Sequence, residues 1–148
     1  MPEKSIKLFE QAKAIYEKEL SADDSRLGGI YNNLGLTLTD LKRFDEAEVY
    51  YNNAIKVMSQ NKNGELEIAI TYLNLCDLYE AKLGSEKSEK TVDEYIEKAY
   101  ELLNREYLPR NGYYAFVCEK CAPTFGYFGR FIYEKELSDR AREIYERN

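Results

Sequence analysis

The chain has 148 residues, 21 basic and 27 acidic side chains, a net charge of −6 and no histidine. That length predicts one domain with a sizeable core, and the content of 44% apolar and 32% charged residues excludes a disordered polymer or a membrane-spanning chain. Without histidine, Ser-His-Asp and Cys-His catalysis and histidine-ligated zinc are excluded, and the acidic surface disfavours nucleic acid. We therefore expect an acidic, non-catalytic protein with no cofactor, nucleic-acid or membrane partner.

The N-terminus, Met1 to Ser5, leads into a charged amphipathic segment and lacks the apolar core of a secretory signal. A cytoplasmic location is therefore expected.

Apolar residues recur every three or four positions along most of the chain, which predicts an all-α fold of about seven helices. Short polar loops between helices of similar length favour antiparallel neighbours. The predicted helices are, in order, Glu3–Leu20, Ser25–Leu41, Asp45–Gln60, Glu65–Leu83, Glu89–Tyr107, Asn111–Glu134 and Leu137–Arg147.

The segment Tyr113–Cys118 is aromatic and β-branched, as strands often are. A lone strand would leave its backbone groups unpaired, so we predict a helix there too. Pro123 is expected to bend that helix or to begin a new one.

The chain also contains an internal repeat of helix pairs. The segment Tyr31–Leu38 aligns with Tyr72–Tyr79, 41 residues later, and Ala54 in the following helix aligns with Ala99 at an offset of 45. The extra residues are placed in a hydrophilic loop, Gly84–Ser88, where an insertion has little effect on stability. A repeat of this length built from two helices indicates a helical solenoid.

The residues at fixed positions of this repeat resemble the tetratricopeptide repeat. That family has an aromatic residue, a Leu-Gly pair and a large apolar residue on its first helix, and small, aromatic and small residues on its second. The first copy supplies Tyr31, Leu34-Gly35, Leu38, Ala47, Tyr51 and Ala54. The resemblance implies a right-handed superhelix of antiparallel helix pairs. In each pair a small residue, Gly35, Cys76 or Gly129, is expected to let a side chain of the second helix approach the first closely.

Other parts of the chain fit the same pattern less closely. The second copy supplies Tyr72, Leu75-Cys76, Tyr79, Val92, Ile96 and Ala99, and a third supplies Phe125, Phe128-Gly129, Ile132, Ala141 and Tyr145. The longer spacing between the first and second copies is similar to that of the elongated repeats of kinesin light chains. The resulting division of a single domain, 1–148, is a second-helix remnant 3–20, repeat 28–61, repeat 69–106 with a loop insertion, an atypical helix 111–121, and a C-terminal repeat and cap 122–148.

Members of the family bind extended peptides or partner helices in a concave groove lined by the first helices. Carried over by position, the resemblance implies a groove formed by Asn32, Asn33, Leu36, Thr39, Asp40, Leu73, Asn74, Asp77, Glu80, Ala81, Tyr127, Arg130, Tyr133 and Glu134. Asn33 and Asn74 occupy the same repeat position, where the family often uses an amide to hold the ligand backbone. They are alternatively ordinary solvated polar residues.

The charge of the predicted groove residues indicates which peptide ligands the groove would favour. Family members that clamp a C-terminal carboxylate use lysines at groove positions where this chain has Asp40, Asp77 and Glu80. An acidic groove favours a neutral or basic peptide, although three exposed carboxylates are also typical of a solvated helix face.

Two cysteines, Cys118 and Cys121, would share one face of a helix. Zinc requires four ligands, and only Cys76 remains to join them. The prediction is that they are buried core residues, with a metal site shared across a dimer, or a redox role, as the alternatives.

Two regions are candidates for self-association. The N-terminal helix begins in the middle of a repeat and has a broad apolar set, namely Ile6, Leu8, Phe9, Ile15, Tyr16 and Leu20. The region between 107 and 133 is crowded with tyrosine and phenylalanine, which pack in cores and also dominate interfaces.

The function predicted from the sequence is therefore a non-catalytic scaffold that binds a protein or peptide. The main alternative is a regulatory module in which the same groove takes a signalling peptide and changes the oligomeric state. A cysteine-based redox or metal protein is the third class.

Overall fold

The structure is a computed structural model that describes residues 2–147, and within that range it contains seven α-helices and no strand. The all-α prediction is confirmed. The helices are α1 Pro2–Glu19, α2 Ser25–Asp40, α3 Phe44–Ser59, α4 Glu65–Leu83, α5 Ser85–Leu103, α6 Gly112–Tyr127 and α7 Phe131–Glu146.

The helices form a layered, tetratricopeptide-like repeat, in which each helix packs on the next from α1 to α5 and again between α6 and α7. The pairs α2–α3, α4–α5 and α6–α7 are joined by short connections, and α4 contacts both α2 and α6. The first helices of the three pairs, α2, α4 and α6, therefore lie side by side. Polar side chains begin two of them, since the Asp24 carboxylate accepts from the Arg26 amide at 2.9 Å and the Asn111 side chain accepts from the Tyr114 amide at 3.0 Å.

The close approach of α2 and α3 depends on Gly35, which faces the ring of Tyr51. A β-carbon on Gly35 would lie 2.7 Å from two ring carbons of Tyr51, inside van der Waals contact. Tyr51, Ala47 and Ala54 are fully buried, as the repeat pattern predicts. In the second pair Val92, Ile96 and Ala99 are buried at the corresponding positions, and the Cys76 thiol lies 3.7 Å from the Val92 carbonyl oxygen.

The second pair is longer than the first because both of its helices are extended. α4 and α5 have 19 residues each, against 16 in α2 and α3. The predicted loop insertion at Gly84–Ser88 is wrong, since α5 begins at Ser85 directly after Gly84. Gly84 has φ of 85°, a conformation that glycine adopts without strain, so one residue suffices to reverse the chain.

The boundary predicted between 111–121 and 122–148 falls inside α6, which runs without interruption to Tyr127. Pro123 lies within α6, so of the two alternatives predicted for it, a bend or a new helix, the new helix is wrong. Proline removes the hydrogen bond to the carbonyl of Glu119, and both residues are on the exposed side of the helix, where water can solvate that carbonyl.

The chain turns instead at 128–130, inside the predicted helix Asn111–Glu134. Gly129 has φ of 84°, and the Arg130 amide donates to the Phe125 carbonyl oxygen at 2.8 Å. The same turn follows α2, where Lys42 has φ of 61° and the Arg43 amide donates to the Leu38 carbonyl oxygen at 2.8 Å. Gly129 thus corresponds to Lys42, 87 positions earlier.

This correspondence changes the register of the third copy. Ala122, and not Gly129, stands where Gly35 stands in the first pair. The predicted close approach at Gly129 is wrong, because a β-carbon there would meet nothing within 4 Å. Phe125 lies on the first helix as predicted, but Phe128-Gly129 lie in the turn and Ile132 lies on the second helix, α7.

Replacing Gly35 with alanine is expected to lower the free energy of unfolding by about 1–3 kcal/mol, because the added methyl group would overlap the fully buried ring of Tyr51. Gly29 is a matched control on the same helix, since a β-carbon there meets nothing within 4 Å. Gly29→Ala should leave stability unchanged or raise it by up to about 1 kcal/mol. Urea denaturation of both variants tests this, and equal effects would contradict the close contact.

Candidate functional site

The side chains that α2, α4 and α6 leave uncovered form one continuous surface. Each helix buries the side that contacts its neighbours and exposes a stripe with a spacing of three or four residues, as expected for one side of a helix. We call this surface the first-helix face. It consists of Asn33, Leu36 and Asp40 from α2, Asn74, Asp77 and Ala81 from α4, and Tyr113, Phe116, Lys120 and Tyr127 from α6.

An amide network joins α2 to α4 along the edge of this face. The Asn32 amide donates to Thr71 Oγ1 at 2.8 Å, and the Asn74 amide donates to Asn32 Oδ1 at 3.2 Å. Thr71 is fully buried and its hydroxyl donates to the Glu67 carbonyl oxygen at 2.9 Å. Asn32 and Asn74 therefore have a structural role, and this contact brings two of the predicted site residues together.

Asn33 and Asn74 differ although they occupy the same repeat position. Asn33 is exposed, and its side chain makes no hydrogen bond with any other residue in 2–147. Asn74 is half-buried and uses its amide nitrogen in the network, while no residue in that range donates to its oxygen. Donor and acceptor groups of both side chains thus remain available on the first-helix face.

Tyrosine hydroxyls join α4 to α6 through carboxylates. Tyr113 donates to Glu67 and Tyr127 donates to Glu80, and Glu80 also accepts from Ser85 at 3.4 Å. These contacts leave both tyrosine rings exposed, with Tyr127 at 67%. The ring of Phe116, which is also exposed, stacks with that of Tyr113 at a centroid distance of 6.4 Å.

The first-helix face carries uncompensated negative charge on α2 and α4. Asp40 and Asp77 form no ion pair within the described chain, and neither does Lys120 on α6. Neighbouring side chains desolvate the Asp77 carboxylate, and the charge of Glu80 adds to the effect, which raises the pKa of Asp77 to about 6 although the residue is exposed. A cation bound beside Asp77 would relieve this unfavourable environment.

Five predicted residues lie elsewhere. The Thr39 hydroxyl donates to the Gly35 carbonyl oxygen at 2.8 Å, and Glu134 lies on α7. Leu73 is a core residue, only 3% exposed. Arg130 bonds to Asp93 at 2.9 Å and to Glu97 at 3.3 Å on α5, and Tyr133 donates to Glu97 at 2.9 Å while its ring stacks on Tyr100 at 3.6 Å between centroids. The chain turns at 128–130, so Arg130 and Tyr133 contact the second helix of the preceding pair instead of continuing the stripe of α6.

Sequence reasoning included Tyr113 and Phe116 in the aromatic region between 107 and 133 that it considered as an interface, but it did not assign them, or Lys120, to this face. It placed 111–121 outside the repeat, because Phe128-Gly129 looked like the Leu-Gly pair of a first helix. The signal that could have found them is the similarity of the turns at Lys42-Arg43-Phe44 and Gly129-Arg130-Phe131, which places α6 in register with α2.

The cysteines lie in the core, as predicted. Cys118 and Cys121 are at most 2% exposed, and burial raises their pKa values to about 11 and about 12. A thiol with so high a pKa stays protonated and is a weak nucleophile. Among residues 2–147 no three acidic or cysteine side chains are arranged to hold a metal ion.

The two regions considered for self-association are each partly buried. On α1, Ile6 is buried, Phe9 and Tyr16 are half-buried, and Leu8 and Ile15 are exposed. In the aromatic region the buried rings are Tyr114 and Phe125, and the exposed ones are Tyr107, Tyr113, Phe116, Tyr127 and Phe131. Self-association through either region stays a prediction. None of the helices within 2–147 has the length and apolar character needed to cross a bilayer.

Asp77→Asn is expected to raise the free energy of unfolding at neutral pH, because it removes a desolvated charge. The pKa of Asp77 is about 6 in the folded chain and 3.8 ordinarily, so the folded state binds the proton more tightly than the unfolded state. The unsubstituted chain should therefore gain stability relative to the variant as the pH falls from about 7 to about 4, and the difference should vanish below that.

Urea denaturation across this pH range measures the effect, with Glu94→Gln on the exposed side of α5 as control. A stability difference that does not change with pH would contradict the proposed environment of Asp77.

The first part of the chain matches a known family. The family model described as tetratricopeptide repeat matches residues 1–60, a range that holds α1, α2 and α3. Repeats of this family generally act as scaffolds for protein–protein interaction. No curated protein matches the chain. Residues 1–60 are thus similar to the tetratricopeptide repeat family, and residues 2–147 have an all-α, tetratricopeptide-like helical-repeat fold.

Proposed function

We propose that the protein is a non-catalytic scaffold that binds an extended peptide, or an extended segment of a protein partner, on the first-helix face. The observation that carries this proposal is the combination found on that face. An exposed amide on α2, a half-buried amide on α4, uncompensated carboxylates, and three exposed aromatic rings on α6 lie on one surface built from three adjacent helices.

The position of the carboxylates supports binding over stability as their role. Asp40 lies in the last turn of α2, where a negative charge opposes the helix dipole, and it forms no ion pair with another described residue. Asp77 is desolvated without a cation beside it. A neutral or basic peptide is the ligand that such a surface favours.

The elongated second pair supports the finer resemblance to kinesin-light-chain repeats. Its helices are three residues longer than those of the first pair. The three cysteines are free thiols, which supports a reducing compartment such as the cytoplasm.

Replacing both exposed aspartates, Asp40→Asn with Asp77→Asn, is expected to weaken binding of basic peptides by about tenfold, since each surface charge pair contributes up to about 1 kcal/mol. Peptides selected from a random display library against the full chain supply the ligands, and fluorescence anisotropy measures their affinity. The control is Glu86→Gln with Glu94→Gln on α5, which removes the same charge from another surface. Equal losses in both variants would contradict the proposal.

Replacing the two amides, Asn33→Ala with Asn74→Ala, is expected to weaken binding of all selected peptides to a similar degree. An amide that bonds to the ligand backbone does not depend on ligand sequence, whereas the aspartates act on basic side chains. Light scattering in the same titration also shows whether peptide binding changes the oligomeric state, as the regulatory alternative requires. Unchanged affinity in the double variant, with its fold confirmed by circular dichroism, would rule out a backbone role for these amides.

A further inference from the structure

A cleft opens on the first-helix face between the C-terminal halves of α4 and α6. It has a volume of about 480 Å³ and is lined by Asp77, Glu80, Ala81, Pro123, Thr124 and Tyr127. Ala81 and Pro123 give it an apolar wall, and Tyr127 presents an exposed ring. The cleft is large enough to take one long side chain of a ligand.

The cleft has negative charge and no cation of its own. Glu80 already accepts hydrogen bonds from Tyr127 and Ser85. The Asp77 carboxylate accepts none from residues 2–147. Lys82, the cation nearest to it in sequence, pairs with Asp45 at 2.8 Å, and Lys120 on α6 forms no ion pair within the same range. The unsatisfied group in the cleft is therefore the Asp77 carboxylate.

We propose that this cleft is the subsite for an arginine side chain of the bound peptide, with its guanidinium paired to Asp77 and lying against the ring of Tyr127. This inference rests on the proposed function and names the residue that the ligand supplies. Arginine fits better than lysine because its planar cation can bond to a carboxylate with two N–H groups while stacking on an aromatic ring. Its aliphatic stem suits the wall formed by Ala81 and Pro123.

The probe for this subsite is N-acetyl-arginine amide, added to the uniformly ¹⁵N-labelled full chain and followed by amide chemical shifts. Saturable shifts are expected at Asp77, Glu80, Thr124 and Tyr127. N-acetyl-citrulline amide has nearly the same shape without the charge, and it should bind about fivefold more weakly or not at all. N-acetyl-lysine amide should also bind more weakly than the arginine probe.

Variants separate the two contacts. Asp77→Asn should weaken the arginine probe by about fivefold, whereas Asp40→Asn, an equal charge change on α2, should leave it unchanged. Tyr127→Ala should weaken it as well, because the ring is lost, while Tyr127→Phe should keep it, because the ring stays and the Glu80 carboxylate is released.

Equal affinity of the arginine and citrulline probes, or unchanged binding by the Asp77→Asn variant, would overturn the assignment. A lysine probe that binds as tightly as arginine would overturn the choice of arginine. Each of these results leaves the proposed function intact if library-selected peptides still bind and the Asn33 and Asn74 substitutions still weaken their binding. Loss of that sensitivity as well would remove the proposed function itself.

Discussion

The contact between Gly35 and the ring of Tyr51 sets the distance between α2 and α3, and the architecture depends on contacts of this kind. Because the second helix lies so close to one side of the first, the first helix keeps its opposite side free of its own partner. Small residues allow the same approach in the later pairs, with Cys76 against the Val92 carbonyl and the buried Ala122 at the position of Gly35. Three first helices with free sides then lie next to each other, and the first-helix face is the result.

Polar groups, and not only apolar packing, connect the first helices to one another. Asn32 and Asn74 join α2 to α4 through amides, whereas Tyr113 and Tyr127 join α4 to α6 through carboxylates. Side chains that are satisfied in this way have little freedom to rearrange, so the surface between them is preorganised for a ligand. The two junctions also differ in chemistry, with amides on one side of α4 and aromatic rings on the other, a difference that would give the proposed peptide ligand a defined direction and register.

The sequence was sufficient for the fold class and for the first pair, because Gly35, Ala47, Tyr51 and Ala54 each have one role that their size dictates. It was insufficient where a single glycine decides the path of the chain. A loop was expected where α5 begins, because the pattern does not reveal that Gly84 reverses the chain by itself. The pair Phe128-Gly129 was aligned with the Leu-Gly pair of a first helix, although it lies in a turn. On the site, the resemblance to the repeat family was sufficient to place most exposed positions of α2 and α4, but Leu73 shows that repeat position alone cannot tell an exposed residue from one that the core covers.

A residue that lowers the free energy of unfolding and stabilises no contact in the structure needs another explanation. Most carboxylates of this acidic chain are paired or solvated, and several complement the start of a helix, as Asp45 and Glu46 do in α3. Asp40 opposes the dipole of α2, and Asp77 is desolvated with Glu80 as its neighbour. Neither contributes to the packing of the helices, and both lie on the same face as the exposed rings of α6. Conflicts between local physics and sequence concentrate at functional sites, and here they mark the same surface that the helix geometry leaves open.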